Sequence, residues 1–194
     1  MFTFDSIIAV TNRHLSCRPF PEQLERICSC RPHAVILREK DLPESAYEEL
    51  AREALAICKE YSVPCILHTY AETAKKLGCT SIHLPLPLFR RYSGEANKLI
   101  LKDFSCIGTS IHSVEEALEA QQLGATYLTA GHIYATDCKK GLPPRGTDFL
   151  REVCSLVSIP VYAIGGIKAD ETQIQEITAC GARGGCMMSE MMQI

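Results

Sequence analysis

Short apolar runs recur eight times along the chain, each separated from the next by a stretch of helical or loop character. They cover residues 7–11, 34–38, 65–68, 81–84, 105–108, 127–130, 161–164 and 185–188. Strands covered on both faces read as near-continuous apolar runs of this length, because neither face has to meet water. Between them, residues 43–61 place Leu50, Ala54, Leu55 and Cys58 on one stripe, with Glu44, Glu48, Glu49, Arg52, Glu53 and Lys59 opposite. In residues 113–123, Ser113 stands three positions before Glu116, the spacing of a capping box, and Gly124 offers a stop. Residues 170–179 form a further helix ended by Cys180-Gly181, whereas residues 85–97 show no clear period.

Eight strand–helix units with no linker or low-complexity segment predict an α/β protein: one (β/α)8 TIM barrel spanning residues 1–194 as a single domain. A doubly wound open sheet has the same alternation and is the rival reading. The length of 194 residues is short for a barrel, which typically needs about 250. Only residues 189–194 follow the last run, so the eighth helix is expected to be absent or reduced to a stub. An apolar strip beside the first and eighth strands is then expected, covered by a second copy of the chain in a homo-oligomer such as a dimer.

Charge and cysteine usage narrow the function classes. Twenty Lys+Arg against 23 Asp+Glu give a net charge of −3, which provides no footprint for nucleic acid or an anionic membrane. No apolar run approaches the roughly 20 residues of a membrane span, and residues 1–6 carry no signal-peptide pattern, so a cytoplasmic protein is expected. Eleven cysteines include one C-x-C and no C-x-x-C. That spacing fits neither a zinc site nor a redox pair, and buried free thiols are the expectation.

In a barrel, chemistry sits at the C-terminal ends of the strands. After the second run, Arg38 and Lys40 share one side at the strand period of two and suit a phosphate or carboxylate; ion pairs to Glu39 and Asp41 on a solvated rim are the alternative. After the sixth, His132 opens a long loop through Thr136, Cys138 and Lys139, as a proton-transfer group or as a structural loop cap. After the seventh, Gly165-Gly166 lets backbone N–H groups approach an anion, or simply makes a turn; Ser189 closes the eighth run nearby. His14, His33, His68, His83 and His112 have no metal-binding spacing, and His112 reads as structural.

Taken together, Ser110-x-His112-Ser113-x-Glu115-Glu116-Ala117, Gly131-x-x-Tyr134-x-Thr136, Gly141-x-x-x-x-Gly146 and Ile159-Pro160-Val161-x-Ala163-Ile164-Gly165-Gly166-Ile167 resemble the thiamine-phosphate synthase/TenI superfamily. The resemblance runs over nearly the whole chain. It implies a TIM barrel that handles phosphorylated thiazole or pyrimidine intermediates. The synthase branch implies Gln-x-Arg-x-Lys, where this chain has Ile36 before Arg38 and Lys40. It also implies metal-binding aspartates, where this chain has His68-Thr69 and the run His83-Leu84-Pro85-Leu86-Pro87.

The stretch Gly131-His132, then Thr136-Asp137-Cys138-Lys139-Lys140-Gly141, resembles the thiazole tautomerase TenI branch instead. That branch implies His132 as acid/base, a small-molecule thiazole phosphate as substrate, and neither metal nor other cofactor. It extends substrate and phosphate binding to Arg38, Lys40, Ser110, Thr136, Lys139, Gly165, Gly166 and Ser189. The superfamily usually has Gly-Ala-Asp-Gly before the last strand, where this chain has Gly181-Ala182-Arg183-Gly184-Gly185. Two other functions stay open at this level: a non-catalytic regulatory binder of thiazole or thiamine phosphates, and the diphosphate-releasing synthase.

Overall fold

The computed structural model describes residues 2–94, 98–136 and 141–194. Eight strands close in chain order into an all-parallel barrel: β1 (Ile7–Val10), β2 (Ala34–Leu37), β3 (Cys65–His68), β4 (Ser81–Pro85), β5 (Cys106–Ile111), β6 (Tyr127–Gly131), β7 (Val161–Ile164) and β8 (Gly184–Met187). Closure is explicit in the register, since Ile8 pairs with Ala34 on one side and Cys186 on the other. That pairing eliminates the open sheet. Among the described residues, a helix follows each of the first seven strands: α1 (Phe20–Ser29), α2 (Glu44–Glu60), α3 (Ala71–Lys76), α4 (Leu86–Ser93), α5 (Val114–Gln122), α6 (Gly146–Leu156) and α7 (Glu171–Ala179).

Alternation along the strands separates two apolar layers. Ile8, Val10, Ala34, Ile36, Ile66, Tyr127, Tyr162 and Cys186 cluster inside the barrel. The intervening residues, such as Ile7, Ala9, Val35, Leu37, Leu67 and Leu128, join Leu24, Ile27, Ala51 and Ala54 of the helices in the outer layer. The inner layer is fitted by contrast of size. A Cβ on Gly108 would lie 2.0 Å from Cζ of Tyr127, so the tyrosine ring occupies the space that a side chain on β5 would need.

Local signals behave as their chemistry dictates, with two adjustments. Ser113 caps α5 by accepting from the Glu116 N–H at 3.2 Å, and Asp170 caps α7 by accepting from Thr172 N at 2.8 Å. Glu116 reaches one residue past the expected box and accepts from His112 N at 2.6 Å. On α2 the buried stripe is Tyr47, Ala51, Ala54, Ile57 and Cys58, with Leu50 and Leu55 only half-buried. The tyrosine sets that rotation: its hydroxyl donates to Leu37 O at 2.7 Å and accepts from His68 N at 2.8 Å, tying the ends of β2 and β3.

After β8, residues 189–193 form turns, with Met192 N donating to Met188 O at 3.0 Å. The expected apolar strip is not exposed. Met191 and Met192 are fully buried in the outer cluster with Ile7 and Ala9. Buried Gln23 of α1 anchors the turn by donating to Met191 O at 2.8 Å. The well-exposed large apolar side chains among the described residues are Leu99, Leu142 and Leu156, none of them on β1 or β8.

The ten described cysteines are free thiols; Cys28, Cys58, Cys79, Cys180 and Cys186 are buried and Cys17 is exposed. No helix among the described residues is long and apolar enough to cross a membrane. The fit of Gly108 to Tyr127 makes Gly108→Ala an overpacking change, expected to destabilise by at least about 1–3 kcal/mol. Chemical denaturation measures it, and an unchanged midpoint would refute the interior packing described above.

Candidate active site

The C-terminal mouth of the barrel is built first from charge. Arg38 and Lys40 lie just beyond β2, with Glu39 between them. Glu39 is buried and bonded elsewhere: Thr11 Oγ1 donates to it at 2.7 Å, Arg13 N donates to both carboxylate oxygens at 3.1 Å, and the Arg13 guanidinium adds a contact at 3.1 Å. Arg13 also pairs with Asp41, and together with His14 holds that carboxyl well below its usual range. The acidic residues around Arg38 and Lys40 are therefore engaged with Arg13. The ion-paired rim exists, and Arg13 and His14 both take part in it. Arg38 N donates to Thr11 Oγ1 at 2.9 Å, which joins its backbone to the same clamp.

Next to these cations stand two histidines that spacing alone had set aside. His68 ends β3 and His83 lies within β4, both buried, with their rings stacked at 5.7 Å. Burial pushes the His68 imidazole well below its ordinary value, helped by His83, Arg38 and Lys40. His83 falls to about 3, from burial first and then the charges of Arg38 and Lys40. Desolvation, with Arg38 nearby, lowers the Lys40 ammonium in turn. Neutral imidazoles beside two cations make a mouth suited to an anion.

Register extends the site across the barrel. His83 on β4 pairs with Gly108, and Ser110 two residues on pairs with Thr129 of β6. His83 Nδ1 lies 2.9 Å from Tyr127 Oη, His83 Nε2 lies 2.9 Å from Ser110 Oγ, and Thr129 Oγ1 donates to Ser110 Oγ at 2.8 Å. Sequence spacing did not single out His83, Tyr127 or Thr129. The available signal was the strand period of two, which puts Tyr127, Thr129 and Gly131 on one face.

On the opposite side, His132 follows β6 at φ +73° and is 4% exposed. Its backbone is pressed against the glycine turn after β7: a Cβ on Gly165 would lie 3.0 Å from His132 Cα, and one on Gly166 would lie 2.5 Å from Ala135 O. Ile133 N donates to Ile164 O at 3.1 Å, and Tyr134 N to Gly165 O at 2.9 Å. Gly165 and Gly166 adopt φ of +100° and +69°, so both the close approach and the backbone conformation require glycine there.

His112 packs its ring against Gly131, where a Cβ would lie 2.5 Å from Cε1, consistent with a structural role. Thr69, after β3, is the other non-glycine residue with positive φ (+71°) at this end. Arg31 and Ser62 have positive φ for a local reason, as the residues that terminate α1 and α2. At the mouth no helix end explains the conformations of Thr69 and His132, and backbone strain of that kind marks functional loops.

Of the residues singled out from sequence, Arg38, Lys40 and Ser110 meet around His68 and His83, and His132 meets Gly165 and Gly166. Thr136 is half-buried in the loop beyond Ala135, and Ser189 is exposed in the turn after β8. Lys139 lies outside the described residues, as do Asp137, Cys138 and Lys140. Arg183 precedes β8 at the far, N-terminal end of the barrel, so this departure from the superfamily pattern does not touch the mouth.

A divalent ion of the oxygen-seeking kind does not fit the positions held by His68 and Thr69, nor the run His83-Leu84-Pro85-Leu86-Pro87, which carries no carboxylate. They offer neutral imidazoles and a hydroxyl where a hard cation takes carboxylates, under the repulsion of Arg38 and Lys40.

The family model described as "Thiamine monophosphate synthase" matches residues 7–191. Thiamine-phosphate synthase from Shouchella clausii is 35% identical over 162 residues, covering 80% of this chain and 73% of that protein. Thiamine-phosphate synthase 2 from Streptococcus pneumoniae is 30% identical over 190 residues, covering 95% and 86%. Among solved structures, thiamine phosphate pyrophosphorylase from Pyrococcus furiosus superposes with a TM-score of 0.79 at 27% identity, covering 96% of this chain and 86% of that one.

Two measurements test the site as built. Glu39→Ala leaves the Thr11 hydroxyl and Arg13 donors without their acceptor and is expected to cost about 1–3 kcal/mol in urea denaturation. An unchanged midpoint would refute the clamp. His68 and His83 titrate lower when folded than the value of about 6.5 expected unfolded. Below that pH the unfolded chain binds more protons, so stability is complete above about pH 6.5 and declines as pH falls, by up to about 1.4 kcal/mol per unit for each histidine. His83→Gln removes one of these contributions, and its stability should fall less than wild type between pH 7 and pH 5; equal losses would refute a buried neutral His83.

Proposed function

The chain belongs to the thiamine monophosphate synthase family, the thiamine-phosphate synthase/TenI superfamily, and from that premise we propose that this barrel is a thiazole tautomerase. Its substrate is the ylidene carboxythiazole phosphate and its product the aromatic carboxythiazole phosphate. The observation that carries the reading is the contact of the His132 backbone with the glycine turn at Gly165, which puts the residue that would move the proton next in space to backbone able to hold a phosphate.

In this reaction the His132 imidazole removes the proton from ring C2. The C–H electron pair becomes C2=N3, the N3=C4 pair becomes C4=C5, and the exocyclic double bond takes a proton back from the imidazolium. Protons and electrons balance within the substrate, and aromatisation drives the step. Gly165 and Gly166 bind the phosphate, with Ser189 and Thr136 at its rim and Lys139 as a further substrate contact. Arg38 and Lys40 face the carboxylate across the stacked histidines.

The names of the relatives favour a second reading, thiamine-phosphate synthase, which joins a pyrimidine diphosphate to a thiazole phosphate and releases diphosphate. His68, Thr69 and the run His83-Leu84-Pro85-Leu86-Pro87 weigh against it, because they do not suit the magnesium ion that supports diphosphate departure.

An ultraviolet time course on the ylidene carboxythiazole phosphate tests the proposal. Wild type is expected to aromatise it well above the buffer rate, and His132→Ala to be slower by about 10²–10⁴-fold while remaining folded. Background rates with wild type, together with diphosphate release from the two synthase substrates and Mg²⁺, would replace the tautomerase by the synthase. Background rates in both assays with retained binding would leave a regulatory binder. Arg38→Ala is expected to raise KM several-fold if it holds substrate and transition state alike, and unchanged kinetics would remove it from the site.

A further inference from the structure

Four polar groups inside the barrel, those of His83, Ser110, Tyr127 and Thr129, constrain one another's protons. Tyr127 and Thr129 are buried, and each hydroxyl has one hydrogen-bond neighbour among the described residues: His83 Nδ1 for Tyr127, Ser110 Oγ for Thr129. A buried hydroxyl that gives its proton to no acceptor costs about 1–3 kcal/mol, so both donate. Tyr127 therefore donates to Nδ1, and a neutral imidazole that accepts at Nδ1 carries its proton on Nε2. Nε2–H then donates to Ser110 Oγ, which also receives the Thr129 proton. With both donations taken, the Ser110 proton has no acceptor in this network. Ser110 is the one member of the four that is not fully buried, and it lies on β5 toward the mouth.

We propose that Tyr127 and His83 are positioning residues that hold the Ser110 hydroxyl as a hydrogen-bond donor toward an acceptor atom of the bound heterocycle. The proposal rests on the reading that this mouth binds a thiazole phosphate, whose ring nitrogen and carboxylate are acceptors. It adds a reason for two buried polar residues beside the apolar inner cluster. It also adds a selectivity rule: a ring presenting a donor at that point leaves two protons opposed and is disfavoured. The groups facing His83 agree with a neutral ring. His68 stacks on it from β3, Arg38 and Lys40 approach from beyond β2, and Tyr127 faces it from β6.

Nitrogen-15 NMR of the histidine-labelled full chain without ligand reads the tautomer directly, with His83 assigned by loss of its signals in His83→Gln. The expected result between pH 6 and 8 is a protonated Nε2 and an unprotonated Nδ1, with the preference eroded in Tyr127→Phe. A protonated Nδ1 in wild type overturns the proposal, whatever the substrate.

Calorimetric titration with the aromatic carboxythiazole phosphate then reads the consequence. Ser110→Ala and Tyr127→Phe are each expected to weaken binding about tenfold, and the double variant by little more than either alone, because the residues act through one bond. His83→Gln, whose amide can accept from Tyr127 and donate to Ser110, should bind nearly as wild type, whereas His83→Leu should not. Fully additive losses, or none, overturn the positioning role. Failure of wild type to bind this probe, with the Nε2–H tautomer observed, overturns the thiazole reading and leaves the arrangement of protons standing.

Discussion

The ring of Tyr127 lying over Gly108 is the contact on which much else depends. A barrel of eight parallel strands encloses a volume that side chains must fill, and here one strand contributes no side chain so that its neighbour can contribute a large one. The same ring carries its hydroxyl to His83. The polar floor of the mouth is thus fastened to the apolar filling of the interior. Changes in packing at this point reach Ser110 through one side chain, and the floor inherits the rigidity of the core.

A second division follows from the strand period. Beyond β2 successive side chains diverge: Glu39 turns to Thr11 and Arg13, whereas Arg38 and Lys40 act on the buried histidines. A carboxylate amid two cations would ordinarily neutralise them. Held by Arg13 and Thr11, it stiffens the rim. Burial then keeps His68 and His83 uncharged, so that cations on side chains and imidazoles in the wall have separate roles. That distribution suits an anionic heterocycle better than a metal–diphosphate pair, and on this point the chain differs from what the synthase branch implies.

The turn after β8 contributes to the outer layer through side chains, with no regular helix in residues 188–194. Met191 and Met192 cover ground where a full helix was expected to be missing, and Gln23 satisfies a carbonyl that a helix would have bonded internally. The expectation of an exposed strip assumed that only regular structure can shield a strand. Two flexible thioether side chains in a turn, which adapt to irregular gaps, also shield it.

All eight strands were legible in the sequence because burial on both faces demands apolar runs, and three helices were legible from stripe and caps. Strand ends were less so: β5 reads through Ser110 to Ile111, since a polar residue can stay in a ladder when it faces the barrel mouth. His132, Gly165, Arg38 and Lys40 stood out because strand ends carry the chemistry of a barrel. His83 did not, because its partners Ser110 and Tyr127 lie 27 and 44 residues away. Local order and the sites of turns follow from neighbouring residues along the chain, so sequence alone determined them. Which imidazole meets which hydroxyl depends on the stagger of β4, β5 and β6, and that stagger exists only once the barrel has closed.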